Sequence, residues 1–114
     1  MQRKDEVVKT ICAELEDSGL IEGYAYDHFR ESQSVPPPFV VYRRVAYNNF
    51  SADGIVYHHG DNVDLELYAE DPDSMSELMR EVESLLDNAG LFYNLSADTV
   101  YIESEDLYES LYEI

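Results

Sequence analysis

The chain has 114 residues, 45% of them hydrophobic and 12% aromatic, and carries 25 acidic against 7 basic side chains for a formal net charge of −18. That length holds one domain and excludes two ordinary ones, and the apolar content excludes the disorder that such a charge alone would suggest. So large an excess of carboxylates excludes ordinary sequence-general binding to DNA or RNA, which needs cations to displace counterions from phosphate, and it opposes contact with an anionic membrane. What stays open is a basic protein partner, divalent cations, a role in which DNA must not stick, mimicry of DNA, or plain solubility. No apolar run approaches the roughly 20 residues of a membrane span, and no apolar segment follows the charged N-terminus, so the expected setting is a cytoplasm.

Asp5 to Ser18 reads as the first helix, because Val7, Val8, Ile11, Cys12 and Leu15 recur at the helical period while Glu6, Glu14 and Glu16 fall mostly outside that stripe. Cys12 is the only cysteine, so no internal disulfide exists. Its place on the apolar stripe makes it a buried structural thiol rather than a nucleophile. Gly19 is suited to end the helix in a left-handed conformation. Leu20 to Phe29 alternates loosely, as a short strand does. Arg30 to Val35 is polar and leads into Pro36-Pro37-Pro38, which has no amide donors and favours an extended form. An exposed loop is expected there.

From Phe39 to Tyr47 the residues are branched and aromatic, the composition of a strand. Asn48-Asn49 and Ser51-Ala52-Asp53-Gly54 are turn chemistry, Ile55 to His59 is a second strand, and Gly60-Asp61-Asn62 a tight turn. Asn62 to Glu70 alternates cleanly, with Val63, Leu65, Leu67 and Ala69 on one side and Asp64, Glu66, Tyr68 and Glu70 on the other. The three runs are expected to form an antiparallel meander. Next comes the second helix. Ser74 with Glu77 forms a capping-box pattern, Asp71 and Asp73 suit the positive helix N-terminus, Met75, Leu78, Met79, Val82, Leu85, Leu86 and Ala89 make its stripe, and Gly90 closes it. Leu91 to Leu95 and Thr99 to Glu103 read as two more strands. The tail from Ser104 to Ile114 fits either a helical turn or a strand. This order predicts an α+β fold in a single domain, with two helices packed on one face of a mainly antiparallel sheet. Gly19-Leu20 and Gly90-Leu91 both precede an aromatic strand, which fits an internal duplication or simply two similar helix ends.

No catalytic motif is present: no nucleophile elbow, phosphate-binding glycine loop, metalloprotease helix or EF-hand loop. His58 and His59 are neighbours on a strand and so point to opposite faces, which suits a solvated pair better than a shared metal. Asp64, Glu66 and Glu70 share one strand face and are weak candidates for a divalent cation, although such a row is more often a solvated face. Nothing singles out two carboxylates as an acid–base pair. No catalytic residue, cofactor or firm metal ligand is therefore assigned. The strand from Phe39 is apolar on both faces, which suggests cover from another subunit or from a local loop. Arg43 and Arg44 fall one on each face, so at least one needs a carboxylate partner. Tyr42, Arg43, Arg44, Tyr47 and Tyr68 are the candidate interface residues, tyrosine and arginine being enriched at interfaces.

Pro38-Phe39-Val40-Val41-Tyr42, Asn48-Asn49-Phe50 with Ala52-Asp53, Val56-Tyr57, Glu66-Leu67-Tyr68, and Tyr101-Ile102-Glu103-Ser104-Glu105 with Leu107-Tyr108 resemble stretches of a family of small proteins of Gram-positive phages and prophages. In element order that family is similar to the tail-terminator and tail-to-head joining proteins of long-tailed phages. The resemblance implies a ring-forming structural protein, hexameric, without catalysis. It would meet the phage tail tube and neck or connector proteins, and be found in the host cytoplasm during assembly and at the virion neck or tail end. No single residue carries over as a site. Two other readings from different classes remain: an acidic decoy that mimics DNA toward a basic host protein, and a cellular interaction domain.

Overall fold

A computed structural model describes residues 3–45 and 62–114. The elements in chain order are α1 (Lys4–Asp17), β1 (Gly23–Tyr26), a 3₁₀ turn (Glu31–Gln33), β2 (Phe39–Val45), β3 (Asn62–Ala69), α2 (Pro72–Asn88), β4 (Asn94–Ile102) and β5 (Leu107–Glu113). Five strands form one sheet in the order β1-β2-β3-β5-β4, with β1 parallel to β2 and every other pair antiparallel. The α+β class and the mainly antiparallel sheet are as the sequence led us to expect.

The centre of the sheet is β3, and its alternation sets the layering. Val63, Leu65, Leu67 and Ala69 are all fully buried. Directly opposite them on β2 lie Val40 and Tyr42, and on β5 lie Tyr108, Ser110 and Tyr112, residues that share one face because cross-strand partners point the same way. Both helices pack on this face, α1 over β1, β2 and β3, and α2 over β3 and β5. The stripe Val8, Ile11, Cys12 and Leu15 of α1 meets the stripe Met75, Leu78, Met79, Val82 and Leu86 of α2 in the same core. Burial raises the Cys12 thiol to about 12, which keeps it protonated and inert. Ala89, counted in the stripe of α2, is exposed.

Both helices end alike. Gly19 and Gly90 have φ of 85° and 73°, Gly19 and Leu20 donate back to the carbonyls of Glu16 and Leu15, and Gly90 and Leu91 to those of Asp87 and Leu86. These are two complete Schellman motifs, each tucking a leucine onto the core it has just left. The strands that follow differ, since β1 runs parallel to its successor and β4 antiparallel. The similarity is thus one of helix ends, without a repeated strand topology.

Three expectations are corrected and one left open, the tail, is decided. The start of α2 is capped by Asp71, whose carboxylate accepts from the Ser74 amide at 2.7 Å and the Ser74 hydroxyl at 3.2 Å. Pro72 behind it fits the first helical turn, where no amide donor is needed, so the helix starts before the Ser74–Glu77 pair. The two strands expected between Leu91 and Glu103 are one nine-residue strand, irregular between Leu95 and Val100 where Thr99 takes φ of 53°. The tail from Leu107 is a strand, and it lies inside the sheet between β3 and β4. Finally, β2 pairs directly with β3, Phe39 with Tyr68 through Val45 with Asn62. No strand intervenes between those two, and the run Ile55 to His59 lies outside the described residues, as do His58 and His59. The long loop before β2 also has a geometric reason: β1 runs parallel to β2, so the chain must travel back along the sheet, and a dozen residues do this.

Because no atom lies within 4 Å of a β-carbon built on Gly19 or Gly90, substitution there costs only backbone strain. Gly19→Ala and Gly90→Ala should each lower stability by about 1 kcal/mol in urea unfolding, and asparagine at either position by less. Leu65→Ala, which opens a cavity at the centre of the core, should cost about 3 kcal/mol in the same measurement.

Candidate functional site

The sheet face without helices is where the charged candidates lie. Phe39, Val41 and Arg43 of β2 stand opposite Tyr68, Glu66 and Asp64 of β3, and beyond them Glu109, Leu111 and Glu113 of β5 complete the row. Arg43 joins three elements. Its guanidinium pairs with Glu66 and, at 3.1 Å, with Asp27 at the end of β1. Glu66 is 13% exposed and Arg43 33%, so the pair is shielded enough for its loss to matter. The other Glu66 oxygen meets the Tyr68 hydroxyl at 2.7 Å, and that hydroxyl also lies 2.6 Å from Glu109 Oε2. The Tyr68 ring stacks on Phe39, and Phe39 receives the edge of Phe29 from the loop. Burial and the two carboxylates push the Tyr68 phenol far above its ordinary range. Asp27 is held below the usual carboxylate range by His28 and by Arg43.

This network accounts for the two-faced apolar strand and answers the arginine question. Arg43 is the residue that needs carboxylates. Arg44 is exposed, and the described bond at its position is from its backbone amide to the Tyr26 hydroxyl, 3.1 Å. Tyr42, a candidate for an interface, is instead part of the helix-side core, 6% exposed, with its phenol raised to about 12 by burial. It cannot meet a partner without unfolding the protomer. Tyr68 is spent on the internal network, and Tyr47 lies outside the described residues. Among the weak cation candidates, Glu66 has both oxygens engaged, Asp64 faces Arg43 on the next strand, and Glu70 is exposed beyond the end of β3. No three His, Cys, Asp or Glu side chains among the described residues come together as a metal site. No described helix is long and apolar enough to cross a membrane.

The surface that stands out was not among the candidates. Among the described residues the exposed large hydrophobic side chains are Tyr26, Phe92, Leu95, Val100 and Tyr101. Tyr26 is on β1, one edge of the sheet; the other four are on β4, the opposite edge, or in the turn just before it. Phe92 is 94% exposed. β4 carries a single charge, Asp98, in nine residues, although the chain as a whole is rich in acids. Along β1 runs an open cleft of about 270 Å³, bounded by Tyr24 and Ala25 on the strand and by His28, Phe29, Arg30 and Val35 on the loop. An edge strand with one charge in nine residues and with exposed apolar side chains is a surface that soluble proteins usually avoid. One trace of it was legible: the low charge between Leu91 and Ile102. Which strands form the edges was not.

Arg43→Ala should destabilise the protein by about 2–3 kcal/mol, by leaving Glu66 buried without its cation, whereas Arg44→Ala should fall within about 0.5 kcal/mol of the parent. Chemical denaturation of both variants, and of Arg43→Ala combined with Glu66→Gln, measures the coupling. The tyrosines give a second expectation. Burial and the Glu83 carboxylate hold the Tyr112 phenol well above its ordinary range, as Tyr68 and Tyr42 are held by their surroundings. An unfolded phenol ionises near pH ~10, so these three favour the fold below that pH and stop doing so as pH rises past it. Phenolate absorbance should therefore rise in two stages, with Tyr42, Tyr68 and Tyr112 appearing only together with loss of the helix signal. Compared with known proteins, the chain matches no family model, no curated protein and no solved structure.

Proposed function

We propose that this chain is a structural protein of virion assembly, a ring-forming component of the head–tail connector or tail terminus of a long-tailed phage or prophage, acting by binding and not by catalysis. The observation that carries the reading is that, among the described residues, the exposed large hydrophobic side chains lie at two opposite edges of one sheet. A protomer that offers apolar contact at two ends can hold two neighbours at once, and a ring needs this of every member. The resemblance of Pro38 to Tyr42 and of Tyr101 to Tyr108 to the phage family points to the same role. The net charge of −18 suits a passage through which DNA moves without being held. Tail-tube and neck proteins are the expected partners, in the host cytoplasm during assembly and then at the virion neck or tail end.

A second reading has its own observation. From residue 81 to the C-terminus there are nine acidic residues and no lysine or arginine, a one-sign surface that would suit a basic partner or mimicry of DNA. Such a decoy works as a monomer or dimer.

Charge makes the two readings separable. Repulsion between like protomers weakens as the screening length falls from ~30 Å at 0.01 M salt to ~8 Å at 0.15 M. Sedimentation should show a monomer or small oligomer in dilute low-salt buffer, and rings as ionic strength or protein concentration rises, or when purified tail-tube ends are added. The chain should also be found by mass spectrometry in purified tails. A strict monomer throughout, absent from tails but retained by a basic host protein, would replace the assembly reading with the decoy.

A further inference from the structure

We infer that Glu66, Tyr68 and Glu109 share a proton that free carboxylates would have lost, and that this proton latches β5 to β3. Such a latch lies within one protomer and does not depend on the assembly reading. A phenol has one hydrogen to give, and an ionised carboxylate has none. The Tyr68 oxygen nevertheless lies 2.7 Å from Glu66 Oε1 and 2.6 Å from Glu109 Oε2. Both are lengths of an O–H···O bond with a hydrogen between the oxygens. With both carboxylates ionised, one of these contacts would set a carboxylate oxygen against a phenol lone pair with nothing between them. Two hydrogens satisfy both contacts, and the second must come from a carboxyl group.

The surroundings decide which end keeps it. The other Glu66 oxygen is engaged by the Arg43 guanidinium, which favours the charged form there. Asp27 takes the remaining side of that guanidinium at 3.1 Å, and His28 lies 2.9 Å from Asp27. Nothing comparable stands beside Glu109. On β3 it faces Tyr68, with Glu66 and Glu70 to either side, and on β4 it faces Val100. Its neighbours along its own face of β5 are Leu107 and Leu111, with Glu113 beyond and opposite Asp64. Neither β3, β4 nor β5 contains a lysine or arginine. Asp98 of β4 lies on the side of Tyr112, the helix face. Arg44 alternates away from Arg43 and is exposed. The hydrogen therefore sits on the Glu109 carboxyl, which donates to the Tyr68 oxygen while Tyr68 donates to Glu66. Each contact then has one donor and one acceptor, and bonds in such a line strengthen one another. Glu66 is 13% exposed and the Phe39 ring stacks on Tyr68, so water is a poor substitute on that flank.

Tyr68 and Glu109 are direct cross-strand partners, so the line bridges the central strand and the C-terminal strand on the face that no helix covers. Loss of the proton leaves two carboxylates about a single phenol hydrogen. A glutamate of the unfolded chain ionises near pH ~4.3, and the folded trio keeps its hydrogen to higher pH. The latch therefore favours the fold fully below pH ~4.3, and its contribution is lost as pH rises through the point at which the folded trio lets the proton go.

Glu109→Gln tests this, because its amide donates to the Tyr68 oxygen at every pH and cannot ionise. Urea unfolding of parent and variant between pH ~5 and ~8 cancels the other carboxylates in the ratio of the two unfolding constants. That ratio should move against the parent by about tenfold or more across the range, and by no more than about tenfold per pH unit, the limit for one proton. Carbon-13 NMR of the folded parent gives a second reading that needs no variant to fold. The Glu109 carboxyl carbon, assigned through its backbone connections, should titrate at least about one pH unit above the unfolded value of ~4.3. In Tyr68→Phe it should return towards that value. Parallel pH curves for parent and Glu109→Gln would overturn the inference, as would a Glu109 carboxyl ionised throughout the range. A high titration point that survives in Tyr68→Phe would overturn it as well, since the proton would then not be shared through the phenol.

Discussion

The strict alternation of β3 is the constraint on which the rest of the molecule depends. Val63, Leu65, Leu67 and Ala69 are all removed from solvent on one face, while Asp64, Glu66 and Tyr68 occupy the other. A shift of pairing by one residue would turn all four apolar side chains away from the helices and bring two carboxylates under them. The register with β2 and β5 is therefore held strongly, and from that register follow the opposition of Tyr42 and Tyr112 to Leu65 and the seat of both helix stripes. The central strand sends its own two carboxylates, Asp64 and Glu66, to the face that the helices leave open.

On that face the same register gathers a set of charges that no single segment holds. Asp27 comes from the end of β1, Arg43 from β2, Glu66 and Tyr68 from β3, and Glu109 from β5. Linked through one guanidinium and one phenol, they tie four strands together in the half of the molecule that has no helix to clamp it. Arg43 sits between two carboxylates and so offsets repulsion that would otherwise push β1 and β3 away from β2. The aromatic stack of Phe29, Phe39 and Tyr68 shields the network from water on one flank, which strengthens each polar contact within it.

Since the polar groups of the open face are turned inward to one another, the unspent apolar surface is left at the two ends of the sheet. The division of charge along the chain becomes a division across the molecule for a topological reason. β5 enters between β3 and β4, so residues 81–114, which contain no lysine or arginine, form one side, and β1 and β2 hold the opposite side, where arginines and acids such as Glu16, Glu22 and Asp27 are mixed.

The local rules of the chain were sufficient for the two helices, both glycine ends, the core stripes and the alternation of β3. Each of these depends on periods of two or 3.6 residues, or on one residue at one turn, and needs no knowledge of distant segments. The need of an arginine for a carboxylate was legible for the same reason, since an apolar strand with a cation in it implies a partner. The identity of that partner was not, because Glu66 and Asp27 reach Arg43 only through strand pairing. The pairing also settled what local patterns left open. Leu107 to Glu113 is compatible with helix or strand by itself, and becomes a strand because β3 and β4 offer backbone partners on both sides. Tyr42 looks like an interface tyrosine along the chain and is a core residue once Leu65 lies opposite it. The edges of the sheet, and with them the exposed rings of β4, follow from strand order, a property of long-range contacts that no window of sequence contains.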